Sequence, residues 1–344
     1  MKHHLNTLFV TTQGAYLARE GDALLVRVEK ETKLRVPIHT LGGVVCFGRV
    51  GLSHALMGLC ADHGVGISVL AKSGRFLARI GGYTPGNVLL RREQYRKADS
   101  NADSARVARP MILAKVANGR GVLLRHLRDY PDAAGRDAVT AAAARMANAL
   151  ADLQARPDDL DTLRGLEGDA ANSYFGAFDH LIAHQKESFA FTTRSRRPPL
   201  DNVNALLSFL YAMLGHDARC ACECAGLDPQ VGFLHRDRPG RPGMALDLME
   251  ELRPFLADRL ALSLINRRQV AGKGFVTGEG GAVNMDDATR KAVLVAYQKR
   301  KQEEIVHPYL NERVTVGLIV HLQARLLARH LRGDLDAYPP FFWK

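Results

Sequence analysis

The sequence predicts an α+β protein: a small N-terminal β-rich domain over residues 1–90, then a larger all-helical domain over residues 105–344. Three observations carry that reading. Short apolar runs punctuated by Gly and Asp turns fill the first part. Apolar residues at helical spacing, among strong helix formers, fill the second. Between them "RREQYRKADSNADS", residues 91–104, is charged and poor in apolar residues, which marks a linker.

In chain order, "AYLARE" and "ALLVRVEK" flank Gly21–Asp22 and read as a hairpin. "LRVPIHTL", "VVCFG", "GISVL" and "RFLARI" read as further strands, with glycine pairs and "AKSG" as turns. "SHALMGLCADHG" is the one helical interruption and is closed by Gly64. Seven later stretches carry helical periodicity: "ARVARPMILAKVANGRGVLLRHL", "DAVTAAAARMANALADLQA", "LDTLRGLEGDAANSYFGAFDHLIAH", "NALLSFLYAML", "ALDLMEELRPFLADRLALSLIN", "ATRKAVLVAYQKRKQEEI" and "VTVGLIVHLQARLLARHL". Pro254 cannot donate to the carbonyl of Glu250, so the helix carrying it is expected to bend there. "VAGKGFVTGEGGAVN" matches no phosphate-loop spacing and is expected to be a flexible loop.

The 344 residues are 47% apolar, enough for a sizeable core and unlike a disordered chain. Lys and Arg number 47 against 36 Asp and Glu, a net charge of +11. Such an excess points to a polyanion, nucleic acid first, with plain solubility charge as the other account. No run approaches the roughly 20 apolar residues that span a bilayer, and "MKHHLNTLFV" lacks a signal peptide's apolar stretch. A cytoplasmic protein with no membrane partner is expected. Five cysteines, three of them in "CACEC" (Cys220, Cys222, Cys224), are not a disulfide framework.

Chemistry concentrates in "GFLHRDRPGRPGMALDLMEEL", residues 232–252. At 100° per residue, Leu248, Met249, Leu252, Phe255, Leu256 and Leu260 share one arc, and Asp247, Glu250 and Glu251 share the other. One account is a solvated face whose acids suit a helix N-terminus. The other adds His235 at the end of an apolar run and three arginines in the connection, an arrangement suited to a phosphate passing over a carboxylate-bound metal. A further acid, Glu167, lies between Gly165 and Gly168 in "LRGLEGDAANSYF", small neighbours that admit either a ligand or a crossing helix. Carboxylates with one imidazole suit Mg²⁺ or Mn²⁺ better than structural zinc. In a basic protein, that ion implies phosphodiester chemistry.

"RGLEGDAANSYF", "GLDPQVGFLH", "RPGMALDLMEELRP" and "LQARLLARHLRGDLDAYPPF" strongly resemble the CRISPR-associated integrase of spacer acquisition, nearly along the whole chain. The ending "YPPFFWK" and the short "HRDRPGRPG" loop are similar to the subtype that accompanies the type I-C effector system. The resemblance implies a helical catalytic domain whose metal ligands are Glu167, His235 and Glu250, with Asp247 supporting them. It implies a metal-dependent endonuclease and integrase that inserts captured DNA by 3′-hydroxyl transesterification, using Mn²⁺ or Mg²⁺. His235 is the proton acceptor if it is not ligated. The implied partners are double-stranded and branched DNA and a small CRISPR-associated adaptation protein, whose dimer bridges two homodimers of the integrase.

Two basic stretches are candidate DNA-backbone contacts, Arg194, Arg196 and Arg197 in one and Arg236, Arg238 and Arg241 in the other, though ordinary solvated loops would read the same. "CACEC" lacks the paired spacing of a zinc module and reads as a packed helix end. His180 and His184 stand four apart without the glutamate of HExxH and read as a polar helix face. Two other functions stay open at this point: a non-catalytic architectural DNA-binding protein, and a metal-dependent hydrolase of RNA or nucleotides.

Overall fold

The computed structural model describes residues 6–71, 76–82, 87–155 and 159–343. The fold is the expected α+β arrangement, a β-rich N-terminal region followed by a mostly helical one. Two compact units form. The first joins Met1–Pro85 with Asp287–Glu303 and Thr315–Leu318; the second holds Gly86–Asp286, Glu304–Val314 and Ile319–Lys344.

In the first unit, β2 (Tyr16–Glu20) and β3 (Ala23–Val28) pair antiparallel about Gly21, whose φ of 56° only glycine adopts freely. β4 (Glu31–Pro37) extends this sheet on one side and β6 (Gly51–Leu52) on the other. A second sheet runs β1 (Asn6–Val10), β5 (Leu41–Phe47), β7 (Gly66–Leu70), β8 (Phe76–Ile80), with its first three strands parallel. Between β6 and β7 lies α1 (His54–Asp62), with the Ser53 hydroxyl accepting from the Leu56 amide. Leu17 and Leu24 from one sheet, Val44 and Ile67 from the other, and Leu56 from α1 close one apolar core.

Helix α9 (Asp287–Gln302) belongs to this unit, a return that the sequence boundary at residue 90 does not anticipate. Gln298 ties it to β1 through the Thr7 carbonyl, 2.7 Å away.

The second unit starts earlier in helix than expected. The stretch 91–104 is not irregular: it lies in α2 (Val88–Asp99), the Ser100 cap and the start of α3 (Asn101–Asp129). Its polarity reflects specific bonding as well as solvation. The buried Gln94 donates to the carbonyls of Asp228 (2.8 Å) and Val231 (2.7 Å) and accepts from the Asp228 amide. The supposed linker thus fixes the loop that leads to His235.

Helices α4 (Arg136–Ala155), α5 (Leu160–Gly176), α6 (Asn202–Ala225), α7 (Gly243–Glu250) and α8 (Arg259–Asn266) follow. Between α7 and α8 the backbone winds as a π-helix over Arg253–Asp258, with Pro254, which has no amide donor, in its first turn. The glycine-rich stretch is more ordered than expected. A 3₁₀ turn at Gly272–Gly274 leads into a hairpin of β9 (Phe275–Thr277) and β10 (Val283–Met285), and Phe275 packs edge-on against the buried Phe189. The last elements are β11 (Glu304–Val306), β12 (Arg313–Thr315) and α10 (Val316–Arg332).

The core of this unit holds an ionisable group. Asp258, 1% exposed, accepts from the hydroxyls of Tyr211 on α6 (2.7 Å) and Tyr174 on α5 (3.1 Å). Burial pushes its carboxyl from 3.8 up to about 6, against the two hydroxyls and the charges of Arg194 and Arg253. An acid whose folded pKa lies above its unfolded value binds its proton more tightly when folded, so its contribution to stability falls as pH rises from about 4 to about 6. Asp258→Asn is therefore expected to lose that fall, worth on the order of 2–3 kcal/mol, in melts run at pH 4.5 and 6.5 beside the wild type.

Candidate active site

Three sequence-predicted residues, His235 on the 226–235 loop and Asp247 and Glu250 on α7, adjoin one another, and a fourth, Glu167 on α5, is linked to Glu250 through Lys115. The loop crosses the first turn of α7 at van der Waals distance. A Cβ on Gly232 would lie 2.6 Å from the Gly243 carbonyl carbon, and one on Gly243 would lie 2.7 Å from the Gln230 oxygen. The Gly243 amide donates to that same oxygen at 2.9 Å. Gly243→Ala is expected to destabilise the fold by about 2–3 kcal/mol, read as a lowered melting temperature, since neither backbone can yield.

Beneath the crossing, Asp247 organises the loop. Its Oδ2 accepts from the amides of Phe233 (2.6 Å) and Leu234 (2.9 Å), and its Oδ1 accepts from the His235 amide at 3.0 Å. Oδ1 also meets His235 Nδ1 at 2.6 Å. A carboxylate only accepts, so we assign the imidazole proton to Nδ1, which leaves the Nε2 lone pair facing Glu250 Oε1 at 3.6 Å. Asp247 is thus a positioning residue for the His235 tautomer. From the other side, Arg164 on α5 donates through Nε (3.0 Å) and Nη2 (2.7 Å) to the Leu234 carbonyl, one turn before Glu167.

The acids of α7 are not a solvated face. Asp247 is 0%, Glu250 2% and Glu251 0% exposed, because α7 is packed on all sides. Nor are they near the start of a long helix, since α7 ends at Glu250. Their charge is met by partners. Glu250 Oε1 lies 2.8 Å from Arg253 Nη1, and its Oε2 lies 2.7 Å from Lys115 Nζ on α3. Burial pushes the Glu250 carboxyl up, but Arg253 and then Lys115 outweigh it and hold the group below the usual carboxylate range.

Glu251 points the other way. It accepts from the Tyr338 hydroxyl, the Phe341 amide (2.7 Å) and Gln323 Nε2 (3.2 Å). Asn118 ties the Glu251 and Phe341 carbonyls together, at 2.7 and 2.8 Å. The terminal "YPPFFW" is therefore bonded to the helix that carries Glu250.

Lys115 also contacts Glu167 Oε1, so one ammonium stands between the two glutamates. Glu167 is 23% exposed, and a Cβ on Gly165 or Gly168 would meet nothing within 4 Å. Among the described residues no crossing helix comes that close to either glycine, and both border open space. Among the described residues, no three His, Cys, Asp or Glu side chains stand together as a ready-made metal site. The donor set nevertheless suits a divalent ion in kind: two carboxylates and one imidazole nitrogen, with a cation, Lys115, already held on both carboxylates.

The basic stretches divide. Arg194 is turned inward, donating to Asn204 Oδ1 (2.7 Å) and Ser208 Oγ (3.1 Å) and lying over the Tyr211 ring, so it is a structural residue rather than a free DNA contact. Arg196, Arg197 and Arg238 are exposed. Arg236 is exposed but pairs with Asp161 at 2.7 Å. Arg241 is half-buried, and partial burial and then the like charges of Arg238, Arg164 and Arg196 draw it below the usual guanidinium range against the pull of Asp247.

The remaining motifs hold no site. Cys220, Cys222 and Cys224 form no disulfide among the described residues and sit in the last turns of α6, Cys222 fully buried. His180 lies in a 3₁₀ turn and His184 beyond it, so they share no helix face. Lys115, Arg164 and Arg253 were not legible as site residues. The one signal for Lys115 is its isolation in "MILAKVANG", a lone charge among apolar and small residues.

The family described as CRISPR associated protein Cas1 matches residues 8–299. A relative from Rhodospirillum rubrum, "CRISPR-associated endonuclease Cas1 2", is 55% identical, covering all of both chains. The fold is similar to that of a chain solved as "Casposase bound to integration product", with a TM-score of 0.83 and 21% identity over 98% of this chain and 94% of that one. It is also similar to a chain of a "Cas6-RT-Cas1--Cas2 complex", with a TM-score of 0.81 and 20% identity over 99% of this chain and 36% of that one. No helix among the described residues is long and apolar enough to cross a membrane.

Proposed function

The chain belongs to the Cas1 family of CRISPR-associated proteins, and we propose that it is a metal-dependent DNA endonuclease and integrase of spacer acquisition. The observation that carries this is that one Lys115 ammonium joins Glu167 to Glu250, with His235 Nε2 3.6 Å from Glu250, in a chain of net charge +11. The burial of Asp247 and Glu250 removes the solvated face on which an architectural DNA-binding reading would rest.

In this reading, Glu167, Glu250 and His235 Nε2 hold Mn²⁺ or Mg²⁺. The ion, when bound, supplies Lewis acidity at a phosphoryl oxygen and offsets negative charge in the transition state. The chain's own residues do the rest. Asp247 fixes the imidazole with Nε2 inward. Arg164 holds the His235 loop in register with Glu167. Arg196, Arg197 and Arg238 are free to meet phosphates, which makes binding strongly salt-dependent. The 3′-oxygen of a captured fragment forms a bond to phosphorus at the leader–repeat junction. The strand's own P–O3′ bond breaks, and its oxygen takes up the proton. Water in place of the 3′-hydroxyl gives hydrolysis.

A small Cas2-type partner fits this reading, since the fold is shared with a chain of a "Cas6-RT-Cas1--Cas2 complex"; a partner dimer bridging two homodimers is what the sequence resemblance implies. Double-stranded and branched DNA are the substrates. The C-terminal "YPPFFWK" and the short "HRDRPGRPG" loop support the type I-C subtype.

The test is strand joining on a half-integrated, branched DNA. Joined or resolved strands with Mn²⁺ and none with EDTA support the reading. Metal-dependent cleavage with no joining would favour an RNA or nucleotide hydrolase. DNA binding indifferent to EDTA, with no reaction even when the partner is added, would favour an architectural role.

A further inference from the structure

Lys115 stands where a cation belongs. Its ammonium touches Glu167 Oε1 on α5 and lies 2.7 Å from Glu250 Oε2 at the end of α7, and its side chain is 17% exposed. It is supplied by a third element, α3, and no other cation lies within 4 Å of Glu167 in the described residues. Two features of its contacts matter. The Lys115 ammonium sits on Glu250 Oε2 at 2.7 Å, a charge-assisted contact on the same oxygen that a divalent ion would take. Glu250 also has a second, separate partner in Arg253, 2.8 Å from Oε1, so Lys115 can leave without stripping it of all positive charge.

Glu167, Glu250 and Asp247 bring three negative charges against the two positive charges of Lys115 and Arg253, a sum of minus one with a neutral imidazole. A divalent ion added with Lys115 in place would turn the half-buried site positive and set the ion against the ammonium on the same oxygens, which is costly. We propose that Lys115 is the resident counter-cation of this carboxylate pair, and that a divalent ion occupies Glu167 and Glu250 only by displacing its ammonium. The inference rests on the metal-dependent reading and adds a competitor to it.

The experiment compares the full-length wild type with Lys115→Met, an uncharged side chain of similar length, in two readouts that need no catalysis. Mn²⁺ affinity, measured by electron spin resonance of the free ion without DNA, is expected to tighten about tenfold or more in Lys115→Met. Melts in EDTA are expected to show a lower Tm for Lys115→Met than for wild type, with Mn²⁺ raising the variant's Tm more than the wild type's. Lys115→Met combined with Glu167→Gln should recover part of the EDTA loss, which separates charge balance from a packing defect and serves if the single variant folds poorly. Equal or weaker Mn²⁺ binding in Lys115→Met, with wild-type binding intact, would overturn the competition while leaving the metal reading standing. Absence of Mn²⁺ binding in both proteins would overturn the metal reading and this inference with it.

Discussion

Glu250→Gln is expected to remove the proposed strand transfer and leave the fold in place. The amide keeps the shape of the carboxylate but gives up the charge that meets Lys115, Arg253 and, in the proposed reaction, a divalent ion. Loss of a charged group that stabilises a phosphoryl transition state costs about a hundredfold to a thousandfold in rate. The expected result is therefore joining reduced at least about a hundredfold under saturating Mn²⁺, with double-stranded DNA binding unchanged or slightly tighter because a negative charge is gone. Glutamine avoids the confound of alanine, which would leave a cavity beside two cations. Activity within a few-fold of wild type would remove Glu250 from the machinery.

Asp247→Ala carries the largest expected loss of stability. Three consecutive backbone amides, those of Phe233, Leu234 and His235, donate to this one carboxylate, and it is 0% exposed. Removing it orphans those donors, at about 1–3 kcal/mol for a buried polar group, and frees the imidazole to take the other tautomer. A total near 4 kcal/mol is expected in chemical denaturation, large against the 5–15 kcal/mol of a typical domain. Asp247→Asn separates the two roles. It keeps acceptor capacity at one atom, so part of the stability should return. The His235 Nδ1 partner is altered, so strand transfer should stay low.

What the sequence made legible follows from where the determining forces are local. The β2–β3 hairpin and α1 were readable because turn and cap residues specify them within a few positions: Gly21, Ser53 and Gly64. Strand β1 was not, because "NTLFV" gains its place by parallel pairing with β5, whose partners lie about 35 residues on. The stretch 91–104 read as a linker because polarity usually means solvation; Gln94 instead spends its amide on the loop before His235. The glycine-rich stretch read as flexible because its glycines hide a tertiary cause: Gly272 leaves room for Ser188, and the Val283 amide bonds to the Pro199 carbonyl.

The candidate site divides in the same way. Glu167, His235, Asp247 and Glu250 stand in blocks whose residue types and order carried the resemblance. Helical periodicity, however, put Asp247, Glu250 and Glu251 opposite the apolar arc and offered them to solvent. They are buried because each has its own partners, from backbone amides, Lys115 and Arg253, and the C-terminal segment, and no helical wheel contains those. Arg194 shows the converse error: a run of arginines looks like a surface, but this one is held by Asn204, Ser208 and the Tyr211 ring.

The central claim is that Glu167, His235 and Glu250 bind one divalent ion between them. The most direct test is pulsed electron spin resonance of Mn²⁺ added to the wild type, His235→Gln and Glu250→Gln. The account predicts ¹⁴N modulation from one imidazole in the wild type, its loss in His235→Gln with the ion still bound more weakly, and little bound Mn²⁺ in Glu250→Gln. Mn²⁺ bound with no nitrogen coupling in the wild type, or an unchanged signal in His235→Gln, would contradict it.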